Sequence, residues 1–192
     1  MRIIGGTRRG LKLAEVGEGD AAAHLRPTSD RVREAIFNLL INGSHGNLVA
    51  GARVLDLFAG TGALGLEALS RGAVAATFVD DGAKALALLR TNIGKLHAEG
   101  VTTILRQDAT GLPANPGAPF GLIFLDPPYG KSLGDPALAA ARRGNWLASA
   151  AVIVWEEEAP PAPPAGLTPL DLRRYGDTFV TLLRAPDAPG SP

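Results

Sequence analysis

The sequence predicts an α/β fold built as a doubly wound, mainly parallel sheet. Three observations carry that prediction. From residue 53 onward, short apolar runs suited to buried strands alternate with stretches whose apolar residues recur at helical spacing. A glycine turn, Gly60-Thr61-Gly62-Ala63-Leu64-Gly65, falls where a strand gives way to a helix. Aspartates stand at or just beyond strand ends, at Asp80, Asp108 and Asp126.

The elements follow in order. Residues Met1 to Ala14 read as a hairpin, with Ile3-Ile4 and Leu11-x-Leu13 flanking a Gly-Gly-Thr-Arg-Arg-Gly turn. A polar loop, Glu15 to Leu25, leads to a helix capped by Thr28 or Ser29, with Pro27 just outside. Its stripe is Val32, Ile36, Leu39 and Leu40, and Gly43 to Gly46 end it. Strands are expected at Arg53–Phe58, Ala75–Val79, Thr102–Arg106, Leu122–Leu125 and Ala150–Trp155. Helices are expected at Ala63–Arg71, stopped by Gly72, at Ala83–Leu96, and from Pro136 to Arg143. The proline-rich stretch Ala159–Pro164 reads as a stiff connector. Leu170–Arg174 and Phe179–Leu183 form a closing hairpin through Gly176-Asp177, and the tail from Ala185 is expected to be disordered.

Composition narrows the function classes. The 192 residues are 46% hydrophobic and 20% charged, enough for one compact core with a small appendage. Net charge is zero, so attraction to nucleic acid has to come from local clusters. With no cysteine, disulfides and thiolate metal sites are excluded. His24, His45 and His97 lack metal-ligand spacing, so no metal is expected. No apolar run has the length of a membrane span and no signal peptide is evident, so the expected location is the cytoplasm. The sequence carries no signal for oligomeric state, and a monomer is the default expectation.

The run Asp56-Leu57-Phe58-Ala59-Gly60-Thr61-Gly62 delivers a strand into a turn whose glycines let a ligand approach the start of the next helix. A pyrophosphate would suit the glycines. It would not suit Asp56, whose carboxylate favours a cationic group such as the amino group of S-adenosylmethionine, or else bonds its own loop. Asp80, about 20 residues on, is placed to accept from ribose hydroxyls, a role common to NAD and S-adenosylmethionine. Asp81 beside it fits a helix start, and Asp108, with Ala109 next to it, could receive an adenine amine.

The stretch Leu122-Ile123-Phe124-Leu125-Asp126-Pro127-Pro128-Tyr129 points to one chemistry. Two prolines stiffen the turn and remove two N–H donors, which leaves acceptors, the Asp126 carboxylate and the Pro127 carbonyl. An exocyclic amine on a planar base is a poor nucleophile because its lone pair is delocalised. Acceptors gripping both its hydrogens draw the nitrogen toward tetrahedral geometry. Tyr129 can stack on the base, for about 1–3 kcal/mol.

Together "RIIGGTRRGLKL", "RPTSDRVREAIFNLL", "VLDLFAGTGALGLEALSRGA" and "DPPY" resemble the RsmD family of bacterial 16S ribosomal RNA guanine-N2 methyltransferases, over essentially Met1 to Arg184. The resemblance implies a Rossmann-like class I, S-adenosylmethionine-dependent methyltransferase. It implies a seven-stranded sheet with an antiparallel last strand and an N-terminal hairpin used with RNA. Carried over, Asp56, Ala59, Gly60, Gly62, Asp80, Asp81, Asp108 and Ala109 would bind S-adenosylmethionine, and Asp126, Pro127 and Tyr129 would hold the guanine. The family often has Glu where Asp80 stands and Phe where Tyr129 stands. The expected division is 1–46 as an RNA-binding appendage, 47–184 as the methyltransferase domain and 185–192 as tail. The expected partner is 16S rRNA or a small ribosomal subunit particle.

Arg2, Arg8, Arg9 and Lys12 occupy the first thirteen residues without an acid among them, and Arg26, Arg31 and Arg33 follow. Such a cluster can track phosphates, or it can protect an edge hairpin from strand pairing. Other readings are an NAD-dependent oxidoreductase, which leaves the Asp-Pro-Pro-Tyr turn idle, an adenine-N6 DNA or protein-glutamine methyltransferase, and a non-catalytic RNA-binding module.

Overall fold

The computed structural model describes residues 1–15 and 29–187. Seven strands form one sheet: β1 (Arg53–Leu57), β2 (Ala75–Asp80), β3 (Thr102–Arg106), β4 (Phe120–Leu125), β5 (Leu147–Glu157), β6 (Thr168–Tyr175) and β7 (Thr178–Arg184). Their order is β3-β2-β1-β4-β5-β7-β6. The first five are mutually parallel, and β7 runs antiparallel to both β5 and β6. The expected doubly wound sheet and its antiparallel last strand are therefore present. Strands β1, β4 and β5 alternate little in burial, because parallel strands covered on both faces read as continuous apolar runs.

Among the described residues, four α-helices, α1 (Asp30–Asn42), α2 (Ala63–Ser70), α3 (Ala83–Leu96) and α4 (Gly134–Arg143), accompany the sheet. Two apolar clusters make the core. One contains Phe37, Leu66, Phe78, Leu89 and Phe124, and the other contains Leu55, Ile123, Leu138, Trp146 and Trp155. Ser29 caps α1 by accepting from the Val32 N–H at 3.2 Å; Thr28, the other candidate, lies outside the described residues. Helix α4 starts two residues before Pro136, as the first turn of a helix tolerates proline. Strand β5 begins at Leu147, three residues earlier than the apolar run suggests. Ala150 there has φ +55 and the β4 pairing shifts register, so the alternation is broken.

The N-terminal hairpin is a single bridge, Arg2↔Lys12, with a short 3-10 turn at Gly6–Arg8. Its apolar residues belong to the main core, with Ile3 and Leu13 packed among Ile36, Phe37 and Leu40. Polar anchors hold the rest. Both oxygens of fully buried Glu67 accept backbone N–H groups, from Ile4 and from Gly5, each at 2.8 Å, and Arg71 Nε donates to the same carboxylate at 2.6 Å. Ser70 Oγ accepts from the Arg8 N–H at 2.9 Å and donates to the Gly5 carbonyl at 2.6 Å. The chain also does not leave the fold at Ala185. That residue is buried and its N–H donates to the Ala151 carbonyl at 2.8 Å, while Ala150 donates to the Pro186 carbonyl at 3.2 Å.

Candidate active site

Sheet order reverses between β1 and β4, which open-sheet proteins use as a ligand crevice. The two strands pair in register, Leu57 beside Leu125, so the turn after each emerges at the same level. The Asp126 N–H reaches the Leu57 carbonyl at 3.5 Å, the last tie before the two chains part.

The glycine turn takes its shape from left-handed backbone. Gly60 has φ +55 and Gly62 φ +80, and Phe58 enters the same region at φ +61 without a glycine's freedom. A non-glycine residue held there stores backbone strain, a common property of ligand turns. A Cβ on Gly62 would strike Leu89 Cδ1, and one on Gly65 would meet Phe78 and, at 3.0 Å, Asp56 Oδ2. Both glycines thus let α2 start tight against the sheet. The Gly62 N–H closes the turn onto the Ala59 carbonyl at 2.7 Å, and Ala59 is tied to the Val79 carbonyl at 3.0 Å.

Asp56 lies beneath this turn, 1% exposed, its Oδ2 accepting from the Gly65 N–H at 2.9 Å. Burial pushes its carboxyl well above the usual carboxylate range, the Gly65 bond opposes that, and repulsion from Asp126 and Asp80 adds to it. Asp80 takes the Gly60 N–H on Oδ2 and the Gly82 N–H on Oδ1, both at 2.8 Å. Burial raises it too, against those two bonds. Asp81 is exposed at the approach to α3. Asp108, also exposed, accepts from the Thr110 N–H and hydroxyl on Oδ1, each at 2.8 Å, and Ala109 behind it is buried.

Asp126 is half-buried and Pro127 buried. Tyr129 is anchored in a way the sequence did not disclose. Its hydroxyl donates to Glu156 Oε1 at 3.3 Å and lies 2.9 Å from Thr178 Oγ1. Burial, with Glu156 and Asp126 nearby, pushes its phenol up to about 12, while the Thr178 bond works the other way.

The residues fit the cofactor that the resemblance implies. An ionised carboxylate offers about four lone-pair sites, and the two N–H bonds to Asp80 leave capacity for two ribose hydroxyls. The acidic lining suits a cation better than a pyrophosphate. No cluster of potential metal ligands occurs among the described residues. No helix among them is long and apolar enough to cross a membrane.

The basic candidates lie elsewhere. Arg2, Arg8, Arg9, Lys12 and Arg31 are exposed. Arg8 and Arg9 follow the anchors at the far end of α2 from Gly62, about 12 Å along an eight-residue helix. Arg2 pairs with Asp30 at 3.5 Å, and Lys95 donates to the Lys12 carbonyl at 3.3 Å, adding a cation that periodicity had hidden. Arg33 does not join them. It is fully buried, with Nη2 donating to the Arg2 carbonyl at 2.6 Å and to Asp30 Oδ1 at 2.8 Å, so it holds the hairpin from below. Arg26 lies outside the described residues.

Comparison with known proteins agrees with this architecture. The family described as "Conserved hypothetical protein 95" matches residues 1–184. The chain is 39% identical over 158 residues to "Ribosomal RNA small subunit methyltransferase D" of Escherichia coli K12, covering 82% of this chain and 75% of that protein. It is 37% identical over 162 residues to the protein of the same name from Haemophilus influenzae, covering 82% and 79%. The solved structure of Escherichia coli yhhF superposes with a TM-score of 0.82 at 35% identity, covering 98% of this chain and 99% of the other. The sheet is that of the Rossmann-like class I methyltransferases, and the chain belongs to the RsmD family.

Proposed function

We propose that this protein transfers a methyl group from S-adenosylmethionine to the exocyclic N2 amine of a guanine in 16S ribosomal RNA. The observation that carries the reading is the register of β1 and β4, which sets the glycine turn and the Asp-Pro-Pro-Tyr turn side by side. Relatives named as small-subunit rRNA methyltransferases support the substrate class.

Bound S-adenosylmethionine supplies an electrophilic methyl group on its sulfonium. In this reading Gly60, Gly62 and Asp56 define its methionine end, Asp80 accepts from its ribose, and Asp81, Asp108 and Ala109 flank its adenine. The protein's own work is placement. The Asp126 carboxylate and the Pro127 carbonyl accept the two amine hydrogens and localise the nitrogen lone pair. Tyr129 stacks on a guanine taken out of its stack, its ring held by the bonds to Glu156 and Thr178. The amine proton becomes acidic only once nitrogen is bonded to carbon, so Asp126 or water suffices to take it. Residues 1–46 supply phosphate contacts through Arg2, Arg8, Arg9, Lys12 and Arg31, with Arg26 in the same role, and 47–184 supply the chemistry.

The test is tritium transfer from labelled S-adenosylmethionine to small-subunit rRNA and to assembled particles, followed by nucleoside analysis. Label in N2-methylguanosine is expected, with Asp126→Ala largely abolishing transfer while cofactor still binds. Label in N6-methyladenosine or in protein, or near-normal turnover by Asp126→Ala, would reject the assignment.

A further inference from the structure

Asn92 is fully buried on the inward face of α3, among Leu86, Leu89, Ile93 and Leu96. A carboxamide in an apolar helix face has to find partners. Its Oδ1 accepts from the Ala14 N–H at 2.6 Å, and its Nδ2 donates to the Ala14 carbonyl at 3.1 Å and to the Thr61 carbonyl at 3.0 Å. One donor and two acceptors surround it, and only one orientation of the amide satisfies all three.

The two segments joined in this way differ in role. Ala14 ends the hairpin that carries Arg2, Arg8, Arg9 and Lys12. Thr61 stands between the two left-handed glycines of the turn, Gly60 and Gly62. The peptide from Thr61 to Gly62 is held at its N–H end by the Ala59 carbonyl and at its carbonyl end by Asn92. Gly62 on one side of that peptide eases its rotation, so a fixed partner helps decide which way its carbonyl faces. The same carboxamide makes two bonds to Ala14, which fix its orientation toward Thr61. The other polar anchors of the hairpin bond it away from the turn: Glu67 and Ser70 near the other end of α2, Arg33 at the Arg2 carbonyl and Lys95 at the Lys12 carbonyl.

We propose that Asn92 is a positioning residue that couples docking of the N-terminal hairpin to the shape of the glycine turn, so that RNA and cofactor bind cooperatively. This rests on the reading of the glycine turn as the cofactor site and of the hairpin as an RNA contact. RNA seated on the docked hairpin holds the carboxamide in register, and the preset turn binds cofactor more tightly. By linkage, cofactor strengthens RNA binding by the same factor. One hydrogen bond between neutral groups limits the effect to about 3- to 10-fold.

The experiment measures S-adenosylhomocysteine affinity of the full chain by calorimetry, with and without saturating small-subunit rRNA. The wild type is expected to bind about 3- to 10-fold more tightly with rRNA present. Asn92→Leu fills the same space without the bonds. It is expected to bind S-adenosylhomocysteine more weakly alone and to show no change with rRNA, while its rRNA affinity without cofactor stays close to wild type. Should Asn92→Leu fail to fold, hydrogen exchange on the wild type decides, since S-adenosylhomocysteine is expected to slow exchange of the Ala14 amide. A wild type that binds S-adenosylhomocysteine but shows neither linkage nor slowed exchange overturns the coupling alone, as does an Asn92→Leu variant that keeps the linkage. A wild type that does not bind S-adenosylhomocysteine overturns the cofactor reading beneath it.

Discussion

Replacing Glu67 by alanine should loosen the N-terminal hairpin more than any change to its arginines. The carboxylate has no exposure and receives two backbone N–H groups at 2.8 Å and Arg71 Nε at 2.6 Å. Leaving a buried N–H unpaired costs about 1–3 kcal/mol, and removing one partner of a buried ion pair about 3–5 kcal/mol. The full sum overshoots. Ile4 and Gly5 are only half-buried, so water reaches their N–H groups once the side chain is gone. Arg71 keeps its place over the Phe37 ring, 5.0 Å from the centroid. The net loss works out at about 3 kcal/mol, a large share of the roughly 5–15 kcal/mol typical of a domain. Melting should fall by about 6–12 °C, and the urea midpoint should drop with its slope unchanged. Glu67→Gln, which keeps one acceptor but turns an amine toward a backbone N–H, should fall between. Native-state hydrogen exchange should show Ile4 and Gly5 losing protection while β1 and β4 keep theirs. A loss below about 1 kcal/mol, or faster exchange spread evenly over the sheet, would refute the claim that this carboxylate fastens the hairpin.

Other outcomes follow from the same geometry. Folding raises the Asp56 and Asp80 carboxyls, so the folded chain binds more protons than the unfolded one. Their contribution to stability is then complete at low pH and is lost as pH rises from the usual carboxylate range through the raised values. Asp56→Asn keeps an acceptor for Gly65 and cannot ionise, so melts from pH 5 to 9 should show a shallower decline than wild type; parallel curves would reject the burial argument. Arg8→Gln with Arg9→Gln should lower the slope of log Kobs against log salt by about 1.4 for single-stranded RNA, leaving S-adenosylhomocysteine affinity unchanged. An unaltered slope would remove those residues from the interface. Tyr129→Phe keeps the ring and withdraws a partner from buried Glu156 and Thr178, costing about 1 kcal/mol of stability in urea titrations. Tyr129→Ala loses the ring as well, and kcat/KM for RNA should fall about 10-fold further; equal effects of the two would mean the ring does not stack.

The sheet was legible because its signals are local. Strand runs, glycine stops and the aspartates beyond strand ends need only a few neighbouring residues to be read. The partners of those aspartates were not legible. Asp80 bonds Gly60 across twenty residues and Asp56 bonds Gly65 across nine, so what reads as a ligand contact is first a brace for the turn. Longer reaches were hidden altogether. Glu67 and Asn92 look like ordinary polar residues on helices, and only their sites on inward faces, at 0% exposure, mark them as misplaced unless something meets them there. In Asn92 the signal was present, since it stands next to Ile93 within the Leu89–Leu96 stripe. Arg33 went the other way: its charge suggested a surface role, whereas its spacing three residues before Ile36 placed it on the inward stripe.

A Gly-x-Gly-x-x-Gly turn by itself is compatible with hydride transfer and with methyl transfer, and the decision falls to the neighbouring strand. Because Leu57 and Leu125 are paired, whatever Asp126 holds must stand beside whatever the glycine turn holds. A hydride acceptor next to that turn would need a proton donor at this position. The turn after β4 instead leads with two acceptors, the Asp126 carboxylate and the Pro127 carbonyl, followed by a phenol pushed up to about 12 by burial. Two fixed acceptors at this position suit a substrate that arrives with hydrogens to be held, which is the property of an exocyclic amine and not of a carbonyl. The proposed chemistry thus rests on the pairing of two adjacent strands, while the hairpin proposed to meet RNA is fastened to the same domain at Glu67 and Asn92.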